Sequence, residues 1–407
     1  MNNGLKRFFV VAAVALMVPA VAAASTARMS GLNVPGDYVK GDYTGMFTYM
    51  SEVNSVGNLA YVEAGSIYTG LQDHAVGAVL PGLFDGKYGV WSVNLRQLHP
   101  ALGQSWNYGQ LNIGDGGYDP NWNGEAFDII WGHKMGNGNL ALRLNRSYFS
   151  YDDGDVTTEG DGNDERNILG FGAGYGWDMN ANTNVEVGAL YQQRTFDEGP
   201  TGYSNDGSTA FMLAARAFRK ASGNLTVIPA VKFYSIDNSY TDNETSTGVD
   251  EKYSGWQAGL AGNWTVGSDD LLVFGANFAG NKADYGDGGE ESEMFMPNVF
   301  LALETHLNPW LTFRAGAQNA MFYTYKDKVE GGETKYKEHY FTFNLGTTVK
   351  LGNLTLDATL DPAFLQNPFA QLMGGTNAVF YNGYYGGRGD GYGPGFVFPQ
   401  VSATYTW

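Results

Sequence analysis

What most constrains this chain is a repeat of two spacings: segments in which apolar and polar residues alternate, joined by linkers that are alternately short and long. Fourteen segments begin near Lys87, Gly124, Gly138, Glu165, Asn182, Gly207, Gly223, Lys252, Asp269, Ser292, Pro309, Glu338, Asn353 and Gly395. Each is long enough for the ~9–11 residues that a tilted strand needs to cross a bilayer. Short linkers such as Gly136-Asn137-Gly138, Asn180-Ala181-Asn182, Ala221-Ser222-Gly223, Gly267-Ser268-Asp269, Leu307-Asn308-Pro309 and Gly352-Asn353 are rich in the residues of tight hairpin turns. The long ones are His99–Asn123, Asp152–Asp164, Asp197–Asp206, Asp237–Glu251, Asp284–Glu291, Lys326–Lys337 and Pro362–Pro394. A sandwich or a propeller has no reason to sort its loops by length. A membrane-spanning up-and-down barrel does, with tight turns at one rim and long loops at the other.

The period of two assigns the faces. In the last segment Val397, Val401, Ala403, Tyr405 and Trp407 oppose Gln400, Ser402, Thr404 and Thr406; in the one before, Leu354, Leu356, Ala358 and Leu360 oppose Thr355, Asp357, Thr359 and Asp361. Leu311, Phe313, Ala315 and Ala317 oppose Thr312, Arg314, Gly316 and Gln318. The apolar sets face lipid and the polar sets the lumen, because a one-residue slip would put Arg314 into lipid at ~2–4 kcal/mol near the midplane. Two places break the pattern. Asp269–Lys282 is apolar on both faces, and Arg146 falls in phase with Leu140, Leu142 and Leu144, which a bulge or a snorkelling side chain would explain.

Composition agrees with strands that are apolar on one side. After the N-terminal run no apolar stretch approaches the ~20 residues of a spanning helix, yet aromatics make up 14% of the chain beside 57 glycines. That N-terminal run, Phe8–Ala24 behind Lys6 and Arg7 and ending in Ala22-Ala23-Ala24, has the form of a cleaved signal peptide, with Ala24 or Ala27 as the last residue removed. Pro19 and the small-residue ending argue against the alternative, a retained anchor. The organisation expected is a signal peptide over 1–24, an N-terminal segment over 25–86 and a barrel over 87–407. Zero cysteines exclude disulfides, thiolate metal sites, cysteine nucleophiles and a lipidated N-terminus. A formal charge of −18 argues against nucleic acid as a partner.

The chain closes on Val401-Ser402-Ala403-Thr404-Tyr405-Thr406-Trp407. This resembles the C-terminal strand signal of Gram-negative outer-membrane β-barrels, with tryptophan in place of the usual phenylalanine. The resemblance implies residence in the outer membrane among its lipid and lipopolysaccharide, and delivery by the barrel assembly machinery reading Tyr405 and Trp407. Fourteen strands behind a long N-terminal segment also look like the long-chain fatty-acid transporter family. Arg28-Met29-Ser30-Gly31-Leu32 is similar to the opening of those proteins, while Asn54-Ser55-Val56-Gly57-Asn58-Leu59 stands where they commonly carry Asn-Pro-Ala. That resemblance implies a segment that plugs the lumen. Leu59–Tyr68 and His74–Leu80 could add two strands, for sixteen.

The pore-lining set is then Arg143, Glu186, Arg194, Arg216, Lys232, Glu304, Arg314, Gln318, Lys350 and Asp357. Two readings stay open: such charges select solutes, or pair with each other and with a plug. Their basic excess suggests a mild anion preference. Gly170, Gly172, Gly174 and Gly176 leave one strip of wall bare for close packing of the N-terminal segment, or for a bend. Pro229, Pro297 and Pro399 mark ladder interruptions, either simple bulges or a lateral gap. The acidic run from Asp152 to Glu165 reads as a solvated loop or a divalent-cation site; it lacks EF-hand spacing. None of the five histidines has a partner at catalytic spacing, so neither an enzyme nor a cofactor is expected. The function expected is a channel, monomeric or homotrimeric, for passive diffusion or uptake of small solutes. The alternatives are a plugged transporter of a hydrophobic solute and a non-conducting barrel that displays its loops.

Overall fold

The alternation closes on itself. The computed structural model describes residues 25–65, 75–96, 125–151, 164–198, 202–267, 269–286, 289–329, 332–360 and 400–407. The wall begins with β1 (Leu59–Gly65), β2 (Ala75–Leu80), β3 (Val90–Arg96), β4 (Glu125–Met135), β5 (Gly138–Tyr151) and β6 (Asp164–Asn180). It continues with β7 (Thr183–Asp197), β8 (Tyr203–Lys220), β9 (Leu225–Asp237), β12 (Lys252–Val266), β13 (Asp270–Asp284) and β14 (Glu290–Asn308). It ends with β15 (Leu311–Val329), β16 (Gly332–Leu351), β17 (Leu354–Leu360) and β18 (Gln400–Thr406). Every neighbour is antiparallel, and β1 pairs with both β2 and β18, which seals the ring. The short β10 (Tyr240–Asp242) and β11 (Thr247–Val249) prolong the β9–β12 hairpin beyond the wall.

The barrel therefore has sixteen strands, two more than the fourteen clear segments. The extra pair is Leu59–Gly65 and Ala75–Leu80, so the wall starts at Leu59 and not at Lys87. Several linkers read as long loops are the tips of hairpins. β15 and β16 run through Lys326–Lys337, where Glu290 faces Lys328 and Lys328 faces Glu333. Above the lipid a strand needs no apolar face, and opposite charges across a ladder support it instead. The short turns keep their expected chemistry: Gly136, Gly267 and Gly352 adopt φ of 63°, 65° and 64°, which a Cβ would disfavour.

The faces follow the predicted phase. Leu142, Phe171, Leu213, Phe233, Leu260, Leu301 and Leu356 point outward and are exposed, whereas Arg143, Gln192, Arg216, Asn277, Arg314 and Asp357 are buried inside. Arg146 lies on the outer face in an unbroken ladder, its guanidinium 5.7 Å from the centre of the Tyr148 ring, so it snorkels and no bulge is present. Of the three prolines, Pro297 sits at a real break. Asn277 and Ala279 pair with Asn298 and Phe295, and Asn298 and Phe295 pair with Ala320 and Tyr323. β14 and β15 thus each carry a surplus residue at one height, which restores register between β13 and β16. Pro229 stays paired with Leu260 of β12, while on the β8 side the ladder lapses between Arg216–Ala230 and Arg219–Val227 with no residue inserted. Residues 1–24, the acidic run 152–163 and residues 361–399, with Pro399 among them, lie outside the described residues. Among the described residues no helix is long and apolar enough to cross a membrane.

Candidate lumenal site

Residues 25–58 lie within the ring, and the sequence explains how they fold there. Ser25 caps the helix α1 (Thr26–Leu32) by accepting a hydrogen bond from the Arg28 N–H, and Asn33 ends it in the left-handed region at φ 48°. Short 3-10 turns follow at Gly36–Tyr38, Tyr43–Phe47 and Met50–Glu52, before a single turn at Val53–Val56 and entry into β1. The apolar residues of this segment find apolar wall. Leu32, Val34, Tyr38 and Val39 pack with Phe218, Ile228, Val273 and Phe300; Met46, Met50 and Val53 pack with Tyr61, Ile130 and Leu190. This is why β13 reads as apolar on both faces: its inner Val273 meets the segment and not water.

Charged side chains hold the segment at two places. On one side Arg28 donates from Nε and Nη2 to the two oxygens of Glu304, at 2.7 and 2.9 Å. Arg314 Nε bonds the same carboxylate, and Arg314 Nη1 donates to Asp357 at 3.1 Å. Asp357 also accepts from the Ser25 and Thr348 hydroxyls. On the other side Arg216 donates from Nε to Glu186 at 2.8 Å and meets Glu52 at 2.5 Å, with its guanidinium over the Tyr49 ring at 3.9 Å. Lys232 reaches Asp37 at 2.9 Å, and Arg143 bridges Asp128 at 2.7 Å and the Phe47 carbonyl at 2.7 Å. Arg28, Glu304, Arg216, Glu52 and Asp37 are all buried. Buried charges are tolerated only when paired and hydrogen-bonded, and two-pronged Arg–carboxylate contacts are the strongest of that kind. Asp42, buried in the same segment and 3.8 Å from Arg28, is pushed up by burial to about 6, with Arg28 pulling it down.

Backbone contact completes the fit. A Cβ on Gly31 would lie 2.9 Å from the Gly346 Cα, and one on Gly316 or Gly188 would overlap the carbonyl oxygens of Leu32 or Thr48. Within the glycine strip, Gly172, Gly174 and Gly176 lie against Met50 and Ser51, while Gly170 makes room for the Asn145 and Gln192 side chains.

Of the ten sequence-predicted lumen residues, Arg143, Glu186, Arg216, Lys232, Glu304, Arg314 and Asp357 belong to these contacts. Gln318 donates to Asn33 at 3.1 Å and accepts from Asn298 at 3.0 Å. Arg194 is fully buried and lies beside Gln192, at 3.5 Å. Lys350 stands half-buried near the short-turn rim, where its main-chain N–H bonds the Trp310 carbonyl. Sequence reasoning missed Glu63, Asp128 and Glu293, which face inward and offset the basic set on which an anion preference would rest. Period two would have found Asp128 between Ala126 and Ile130. Glu63, which accepts from Thr26 at 2.7 Å, was hidden in a strand with no polar alternation. Tyr405 and Trp407 point outward at the closing seam, their rings 6.3 Å apart.

A closed, even-numbered antiparallel ring with an apolar exterior, a polar interior and tight turns at one rim leaves one assignment. This is the architecture of an outer-membrane β-barrel. No protein-family model matches the chain, and no curated protein does. Among solved structures it is similar to a Pseudomonas aeruginosa FadL homologue, at 10% identity and a TM-score of 0.41 over 96% of this chain and 99% of that one. The ferric yersiniabactin uptake receptor FyuA from Yersinia pestis matches at 12% identity and 0.39, and the copper transporter OprC at 11% and 0.38. The barrel covers 54% of the yersiniabactin receptor and 60% of OprC. These likenesses concern the fold alone.

Proposed function

We propose that this barrel admits small solutes across the outer membrane and that residues 25–58 close it at rest. The observation that carries the reading is the pair of buried latches, Arg28 to Glu304 and Arg216 to Glu52, which tie one segment to two separate strands of the wall, β14 and β8. A sixteen-stranded ring without internal filling would leave an aqueous channel. Passage then requires the segment to move, in whole or in part, and the protein is a gated uptake channel more than an open sieve. Delivery through a cleaved leader and assembly through Tyr405 and Trp407 complete the proposal. Planar-bilayer recordings test it: removal of residues 25–57, which spares β1, should convert a quiet barrel into one of steady large conductance. Equal conductance with and without the segment would refute it.

A second reading is favoured by the paired break at Pro297. There Phe278, Met296, Met321 and Phe322 are all exposed on the outer face, a setting in which an apolar solute could leave the wall sideways. Faster uptake of an apolar fluorophore than of a sugar of equal size would favour this version.

A further inference from the structure

The outer face of β6–β9 carries a hollow within the lipid-facing belt. Ala173, Ala189 and Ala215 line a concavity of about 530 Å³, together with Leu213, Val231 and Phe233. The ladder makes these alanines neighbours, since Ala173 pairs with Ala189 and Val187 with Ala215. Below the hollow, the outward column of β8 continues with another small side chain, Ala217, which is paired with Val185. Along this outward column the next residue is Arg219, exposed and followed by exposed Lys220 at the short-turn end. The corresponding columns of β6, β12 and β14 end in Trp177 and Met179, in Trp264 and Val266, and in Leu307. Among the described residues no ion pair engages Arg219. In a chain of charge −18, a cation at the foot of an apolar trough is a specific arrangement.

We propose that this trough holds one phospholipid of the periplasmic leaflet, with an acyl chain along Ala215 and Ala217 and its phosphate at Arg219. The site rests on the membrane-barrel reading above, which puts the short turns on the periplasmic side. An apolar hollow inside the belt is lined by acyl chains in any case; the cation at its foot fixes which lipid stays. Each basic side chain near an anionic surface contributes ~1 kcal/mol, which is roughly fivefold in preference for an anionic headgroup.

Native mass spectrometry of the full-length protein, released from detergent after incubation with phosphatidylglycerol or phosphatidylcholine of identical chains, tests the site. The wild type should retain one phosphatidylglycerol, several-fold above phosphatidylcholine. Arg219→Glu should abolish that preference. Ala215→Trp, which fills the trough, should lower retention of both lipids; Ala189→Leu is the milder filling variant should the tryptophan disturb folding, which heat-dependent gel mobility reports. Undiminished retention in the filled variants, or an unchanged preference in Arg219→Glu, overturns the proposal. So does a wild type that carries no lipid and whose oligomer dissociates on filling, because the trough would then seat a second copy. Conductance of the same preparations separates this outcome from failure of the gated-channel reading, which lipid retention does not probe.

Discussion

Arg28→Ala offers the sharpest perturbation of the proposed gate. Arg28 is 8% exposed and supplies two of the hydrogen bonds to Glu304. Removing one partner of a buried ion pair costs ~3–5 kcal/mol because the other charge is left behind. Glu304 keeps Arg314, so the lower end applies, about 3 kcal/mol. At ~1.4 kcal/mol per decade, the ratio of released to docked segment should rise roughly a hundredfold. Single-channel recording in planar bilayers reads this as open probability, with heat-dependent gel mobility confirming an intact barrel. Glu304→Gln should open the channel too, and the double variant should fall short of the summed effects, as it does for residues in direct contact. An open probability unmoved by Arg28→Ala in a folded barrel, or strict additivity with Glu304→Gln, would refute the argument that this pair holds the segment.

Three further outcomes are expected. Gly316→Val places side-chain atoms where the Leu32 carbonyl sits, so it should raise basal conductance without touching any charge, while Thr312→Val on the same face should not. Burial holds the Asp42 carboxyl at about 6, above its ordinary value; docking therefore gains from its protonation, fully at low pH, and loses that gain as pH rises through 6. Openings should be rarer at pH 5 than at pH 7.5, and Asp42→Asn should flatten that part of the profile. Deleting Trp407, whose main-chain oxygen accepts from Asn58 Nδ2 at 3.0 Å beside the seam, should slow barrel assembly in cells, measured as the delay before the heat-resistant gel form appears.

Most of the wall was legible because lipid on one side and polar groups on the other impose period two, and because tight turns demand glycine and asparagine. Two of the misreadings share one cause, the packing of residues 25–58 against the inner wall. In β1 the inward Leu59 and Tyr61 pack against residues 43–53, and the outward Ala60 and Val62 face lipid, so both faces are apolar and no alternation survives. The same holds for Val273 in β13. The hairpin tips beyond the membrane carry Lys and Glu on every side, which imitates a loop. Where the segment would dock could not be read at all, since its contacts, such as Ser25 with Asp357, join residues 332 positions apart. Only its glycine counterparts, Gly172, Gly174 and Gly176, hinted at the location.

The bare strip on β6 and β7 has a consequence for how this protein can drift. Between Met50 and the lipid the wall carries no side chain beyond a methyl on either face: glycine within, at 172, 174 and 188, and alanine without, at 173 and 189. One sheet thus separates two opposite tolerances. The outer alanines stand over open volume and can enlarge, generation after generation, without moving a backbone atom. Of their inner neighbours, Gly188 would drive a Cβ into the Thr48 carbonyl oxygen and Gly174 would press one against the Met50 main chain, so in this patch the fold itself restrains the inner positions more tightly than the outer ones.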